Sequence, residues 1–424
     1  MRKALLVLLA SLLVLAPAFA GGAAEEATTA AAEGPVNIVW AGWSGEEEAS
    51  RDIFNEMRSG YEAESGNTVQ WVGWTWADTA QQLLIRLQGG EQLDIAQADI
   101  GIFNTIAQTG ALADLNEVFG EEWLSANFPA STLAVGEIDG KQLGLPWSMA
   151  SITMVYNPEI LARAGWDSVP TTIEEFEQCL ADVAALGEGI IPYGVSTKDD
   201  TAAGDLMPWL WTFGTTIFNE DGSVNLGPEA VECIQWYKDL LAKGYIQMDI
   251  GRGDARQLFA QGKMAFYDDA VLAKGQAVSA GVDPDEVVNV CSAMARPVLN
   301  EGDESQSTMW GHMLVIFDSS EYKDTAADFA KYLVSDDVAL EYFRRNGMPP
   351  VTNSASATDE VLSDAYLQGF IDATSTARLD ETARMTNASE IKAIVTEELQ
   401  RTLLGQTTAE ECVETMRTRL EAAI

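Results

Sequence analysis

The chain has 424 residues, 47% hydrophobic and 21% charged, a globular composition that at roughly 150 residues per domain predicts two or three domains. Lys plus Arg number 25 against 65 Asp plus Glu, a formal net charge of −40, so phosphate backbones and anionic lipid surfaces would be repelled. A single histidine, His312, leaves no imidazole pair for a metal and makes any histidine-dependent triad a one-candidate proposition.

Met1 to Ala20 reads as an export signal, with Arg2 and Lys3 as its basic start, Ala4 to Ala16 as its apolar stretch and Ala18-Phe19-Ala20 as its cleavage site. The apolar run is shorter than the roughly 20 residues that a membrane span needs. No cysteine lies near the cleavage point to carry a lipid anchor, so the expected product is a free periplasmic protein. Gly21 to Gly34 lacks any large apolar residue and is expected to be a flexible leader.

From Val36 the pattern becomes three strand-then-helix units: Val36–Trp43 with Glu48–Tyr61, Asn67–Trp74 with Asp78–Leu87, and Leu93–Asp99 with Ile102–Gln108. Apolar positions such as Ile53, Phe54, Met57 and Tyr61 follow the 3.6-residue period, and Gly66, Gly89 and Gly110 punctuate the helix ends. Such alternation predicts an α/β protein with mainly parallel sheets. Further along, Thr172 with Glu175 forms a capping box before Phe176, Leu180 and Val183, and Pro228 opens a helix over Val231 to Leu241. His312–Phe317 reads as a strand, Tyr322–Val334 and Val338–Arg345 as helices, and Gly347 with Pro349-Pro350 as a stop. Ile391, Val395, Leu399 and Leu403 line one helix face, and Thr408 with Glu411 caps a last helix carrying Val413, Met416 and Leu420.

The four cysteines, Cys179, Cys233, Cys291 and Cys412, match no zinc or CxxC spacing, and three of them lie in helical patterns where buried free thiols are as natural as bridges. The Ile217–Pro228 run fails as a calcium loop because its first and twelfth positions are Ile and Pro. Neither a P-loop nor a G-x-G-x-x-G follows any strand. No cofactor or metal is expected.

Ligands of parallel α/β sheets bind beyond the carboxyl ends of the strands, and here those ends are aromatic and acidic. Of the 12 tryptophans, all but Trp123, Trp166 and Trp236 fall in or beside such turns. Indole faces beside carboxylates, amides and hydroxyls suit a sugar, whose C–H faces stack while its hydroxyls are satisfied in the ring plane. Trp40 and Trp71 alternate inward as core residues, whereas Trp43, Trp76, Trp147 and Trp211 are the stronger candidates for the ligand. Asp268 and Asp269 are adjacent on a strand and therefore point oppositely, so one at most faces a given ligand. His312, on an apolar strand, reads as a structural histidine.

These residues, with Gln108-Thr109-Gly110-Ala111-Leu112-Ala113-Asp114-Leu115, Gly140 to Pro146, Met154-Val155-Tyr156-Asn157, Pro170 to Phe176, Gly262-Lys263-Met264-Ala265 and the Gly347–Pro350 ending, resemble the maltose-binding-like family of periplasmic solute-binding proteins for sugar ABC importers. The resemblance covers nearly all of the chain after the leader. It implies two α/β lobes joined by three crossings, near Met149–Ile152, near Thr308–Trp310 and after Val351, with closure by hinge bending. It places an N-terminal lobe at 35–148 plus 310–355 and a C-terminal lobe at 149–309 plus 356–424. The ligand contacts that it implies are Trp43, Ser44, Trp76, Gln97, Asp99, Trp147, Trp209, Trp211, Asp268 and Trp310. The implied function is non-enzymatic: capture of a carbohydrate by a monomer and delivery to the permease subunits of an importer. The acidity is not a family trait and suggests a saline habitat.

Two rivals remain. An exported glycoside hydrolase would use two facing carboxylates about 5–10 Å apart, one with a raised pKa. A polyamine receptor of the same fold would use Trp and Asp to hold cations.

Overall fold

A computed structural model describes residues 34–424 except 199, 200, 220, 285, 375 and 386. The expected export signal and leader lie outside the described residues, apart from Gly34.

The three expected strand–helix units are present as β1 (Asn37–Gly42), α1 (Arg51–Ser65), β2 (Thr68–Gly73), α2 (Trp76–Gly89), β3 (Ile95–Asp99) and α3 (Ile100–Ala107). The long strand β4 (Leu145–Tyr156) follows, then α4 (Ile173–Leu186), β5 (Ile191–Tyr193), α5 (Thr201–Thr212), α6 (Pro228–Ala242), α7 (Arg252–Ala260), β6 (Met264–Asp269), β7 (Ser292–Met294) and β8 (Ser307–Ile316). The chain ends with α8 (Lys323–Leu333), α9 (Asp336–Asn346), α10 (Ala365–Thr374), β9 (Ala377–Arg378), α11 (Ala388–Leu403) and α12 (Ala409–Ala423).

Local chemistry explains the helix ends. Thr408 and Glu411 make the reciprocal capping box that the sequence predicts. At α4 only half of the box forms: Thr172 Oγ1 accepts from Glu175 N, but the Glu175 carboxylate turns to Thr171 N and Oγ1. Gly347 closes α9 at φ 69°, a left-handed conformation that a Cβ would strain.

The strands run in the order β2-β1-β3-β8-β4-β6-β5, with β9 on β8 and β7 on β4. This corrects the expectation of mainly parallel sheets. β1 is parallel to β2 and β3, β5 to β6 and β9 to β8, but β8 is antiparallel to β3 and β4, and β4 to β6 and β7. These two strands carry the chain between lobes and so re-enter each sheet against its direction. β4 pairs with β8 through Ile152, then with β6 and β7 from Thr153 onward, so one strand crosses between the lobes. β8 begins five residues before the expected strand, because Ser307, Thr308 and Gly311 interrupt the apolar run that marked it.

The first lobe buries Trp40, Phe54, Trp147, Leu314 and Tyr342 on one side of its strands and Leu83, Phe103, Met313 and Phe317 on the other. Phe176, Leu180, Trp209, Trp236, Leu399 and Met416 build the core of the second lobe. All four cysteines are free and buried. Among the described residues no helix is long and apolar enough to cross a membrane.

Candidate functional site

The carboxyl ends of β1 and β3 and the amino half of β8 meet at one edge of the first lobe, which is the crevice end of its parallel strands. β1 delivers Trp43 and Ser44, β3 ends on Gln97 and Asp99, and β8 lays His312 opposite Asp99. Gly42 permits this approach, since a Cβ there would stand 2.9 Å from the Gln97 Cβ. Gln97 is fully buried and organises the edge: its Oε1 accepts from Ser44 N at 3.2 Å, while its Nε2 lies 2.8 Å from Ser44 Oγ and 3.2 Å from His312 Nδ1. The rings of Trp43 and Trp310 flank the imidazole at 4.9 and 4.6 Å.

Asp99 and Trp76 form the outer lip. Asp99 caps α3 by accepting from Ile102 N at 2.7 Å, and its other oxygen accepts from Trp76 Nε1 at 2.6 Å. Trp76 opens α2 behind the Thr75 cap and stands 50% exposed. Burial raises the Asp99 pKa against those hydrogen bonds and the nearby Lys392 charge.

On the second lobe the carboxylates are already matched with cations. Asp269 takes two hydrogen bonds from Arg256, at 2.7 and 2.6 Å. Burial opposes its charge, but Arg256 and Arg252 prevail and hold its pKa below the usual aspartate value. Asp268 is bonded to Arg296 and Tyr193, and Asp205 to Arg252. The two adjacent aspartates thus point to different arginines, as strand alternation requires.

Several residues that the sequence nominated sit elsewhere. Trp147 is 2% exposed and stacks on Tyr342 at 5.2 Å with Phe54 and Trp40 at its edges, so it packs the first lobe rather than offering a platform. Trp209 is fully buried beneath the Arg296 guanidinium and donates to Tyr193 Oη at 2.9 Å. Trp147 and Trp209 thus pack against protein, and Asp268, whose side chain is wholly enclosed, pairs with Arg296. Trp211 is 5% exposed, with Arg378 over its ring at 4.8 Å. The structure therefore brings together Trp43, Ser44, Trp76, Gln97, Asp99 and Trp310.

Sequence reasoning missed the part played by His312 and by the segment 376–385. That segment leaves β9, which pairs with Ser307 and Thr308, and lays Leu379 and Ala383 against the apolar cluster around Trp43 and Phe103. It has no periodicity and no motif, so no sequence signal marks it. Arg256 was also overlooked; Glu47, just past the Trp43 turn of the first lobe, contributes to the field that keeps it charged.

The family model for bacterial extracellular solute-binding proteins matches residues 56–368. The chain belongs to that family. This solute-binding protein is 24% identical over 322 residues, 75% of its own length and 77% of the other, to a binding protein of Brucella abortus. Its fold is that of an ABC transporter solute-binding protein from Thermotoga lettingae bound to tagatose, with a TM-score of 0.80 at 22% identity over 91% of this chain and 98% of that one. A maltose-bound protein from Thermotoga maritima gives 0.79 at 20% identity, covering 92% and 100%. The two-lobed architecture is thus shared with known solute-binding proteins, and the family acts outside the cytoplasm.

Proposed function

We propose that this solute-binding protein captures a sugar or oligosaccharide between its lobes and delivers it to the permease of an ATP-driven importer. One observation carries the reading: the indoles of Trp43 and Trp310 flank a neutral hydrogen-bonding set, Ser44–Gln97–His312, with Trp76 at the Asp99 lip, while Asp205, Asp268 and Asp269 of the facing lobe are matched with arginines. Neutral donors and acceptors beside aromatic faces suit an uncharged polyol. Structural relatives named for tagatose and maltose support this class.

The proposed lobes are 35–148 plus 310–355 and 149–309 plus 356–424, hinged at β4, β8 and the chain after Val351. The protein acts as a monomer in the periplasm after removal of residues 1–20, and it performs no catalysis. A hydrolase would need a raised carboxylic acid facing a second carboxylate; Asp99 is raised by burial but both its oxygens are engaged, by Ile102 N and Trp76, and Asp269 is held low by its arginines. A polyamine receptor would need several unmatched carboxylates, whereas Asp205, Asp268, Asp269 and Asp380 are each bonded to a cation and Asp99 is engaged by Trp76 and Ile102 N.

A thermal-shift screen of neutral sugars against polyamines, followed by calorimetry, tests the reading. Stabilisation by at least one sugar, with no turnover of chromogenic glycosides, is expected. Stabilisation by polyamines alone, or measurable hydrolysis, would replace it.

A further inference from the structure

His312 is the chain's only histidine, and its surroundings determine which nitrogen carries the proton. Gln97 Oε1 accepts from Ser44 N, which settles the orientation of that amide and leaves Gln97 Nε2 facing His312 Nδ1. An amide nitrogen only donates, so Nδ1 must present its lone pair and the proton resides on Nε2. The ring is 4% exposed and wedged between Trp43 and Trp310. Its register neighbours are Asp99 on β3 and Ser148 on β4. Asp99 is engaged by Ile102 N and Trp76. No cation stands among these neighbours, and burial pushes the imidazole pKa down to about 3, so the ring is neutral at any physiological pH.

Polar capacity is left over beside it. Among the described residues Ser148 Oγ and Thr308 Oγ1 are buried without a hydrogen-bond partner, and by strand alternation both share the face of the β4–β8 pair that carries His312, Ser148 directly opposite it. Buried hydroxyls are rarely left unmatched, and unmatched hydroxyls on the face that carries His312 are what a polyhydroxylated ligand would complete.

We infer that His312 Nε2–H is a fixed, neutral donor to an acceptor oxygen of the ligand, with Ser148 beside it, and that Gln97 is the positioning residue that sets its tautomer. The inference rests on the sugar reading and narrows it. The ligand must present a lone pair at this place, which a hydroxyl or ring oxygen does and an ammonium group cannot. His312 therefore selects for neutral polyols and against polyamines.

Because the chain has one histidine, labelling with ¹⁵N-histidine in untagged full-length protein yields a single imidazole spectrum. Without ligand, a pyridine-like Nδ1 and a pyrrole-like Nε2 are expected, and the reverse assignment would overturn the tautomer. Maltose, tagatose, glucose and cellobiose are then titrated. With any that binds, the Nε2–H resonance should shift and its exchange with water slow. A bound sugar that leaves this resonance unmoved overturns the role of His312 while leaving the sugar reading intact. Failure of every sugar to bind, with polyamines binding instead, overturns both, though the unliganded spectrum still reports the tautomer. Gln97→Glu, which offers an acceptor to Nδ1 and so draws the proton there, should weaken sugar binding about tenfold or more, the scale of a donor turned into a mismatch. His312→Gln, which retains a donor amide, should recover part of that loss.

Discussion

Glu381 accepts the indole N–H of Trp211 at 2.5 Å across 170 residues of sequence, and its second oxygen accepts from Phe218 N at 2.8 Å. One carboxylate thus ties the 376–385 strap to the second lobe, while Leu379 and Ala383 of the same strap rest on the apolar cluster of the first. Burial raises the pKa of Glu381, against the hydrogen bonds from Trp211, Phe218 and Ile217 and the nearby Arg378 charge that favour its ionised form. Glu381→Ala would leave two N–H groups without their acceptor and should cost about 1–3 kcal/mol in urea unfolding. Glu381→Gln should cost less, because an amide oxygen can still accept. Equal stability of Glu381→Ala and the parent would show that the strap is not anchored there.

The indoles separate into two classes with opposite signatures. Trp147 fills the first lobe between Tyr342, Phe54 and Trp40, so Trp147→Ala should lower stability by about 3–5 kcal/mol through a core cavity. Trp76 is half exposed, and Trp76→Ala should leave the melting temperature nearly unchanged while weakening sugar binding by about 1–3 kcal/mol. Calorimetry and denaturant titration on both variants check the division. A stable Trp147→Ala with lost binding would return that ring to the site.

The pattern of these residues made much of this legible in advance. The units from β1 to α3 were readable because 3.6-residue apolar spacing and terminal glycines mark each helix, and the crevice edge follows once the strands are known to be parallel. The packing of Trp147 and Trp209 was not legible because proximity to a turn says nothing about which way a large ring points. In both cases the lobe interior captured it, since burial of an indole outweighs exposure at the rim. The arginine partners of Asp268 and Asp269 were invisible for another reason: Arg296 and Arg256 lie 28 and 13 residues away from them, and only the tertiary fold brings them together. The strap was hidden because its contacts are individually irregular and span the two lobes.

The charge of −40 predicts a response to salt. Like charges are closer in the folded chain than in the expanded one, and screening falls from roughly 30 Å at 0.01 M to about 3 Å at 1 M. The melting temperature should rise steadily with NaCl, with affinity for a neutral sugar changing much less. Sucrose at equal osmolarity is the control: equal stabilisation by both solutes would point to excluded-solute effects instead of screening.

Acid should expose His312. Its folded pKa of about 3 lies below the ordinary value of 6.5, because burial disfavours the imidazolium. Between these values the unfolded chain binds a proton that the folded chain does not, so stability rises with pH across that window. The contribution is fully present above 6.5 and is lost as pH falls toward 3, amounting to about 3 kcal/mol by pH 4. Asp99 and Glu381 act with the opposite sign, since their folded pKa values are raised and the folded chain takes up their protons first as pH falls. The parent alone would therefore report only a sum. The difference between parent and His312→Gln isolates the imidazole. The variant should lose about 3 kcal/mol less than the parent between pH 7 and pH 4 by urea unfolding, and parallel pH profiles for the two would mean that the ring is protonated as readily in the fold as outside it.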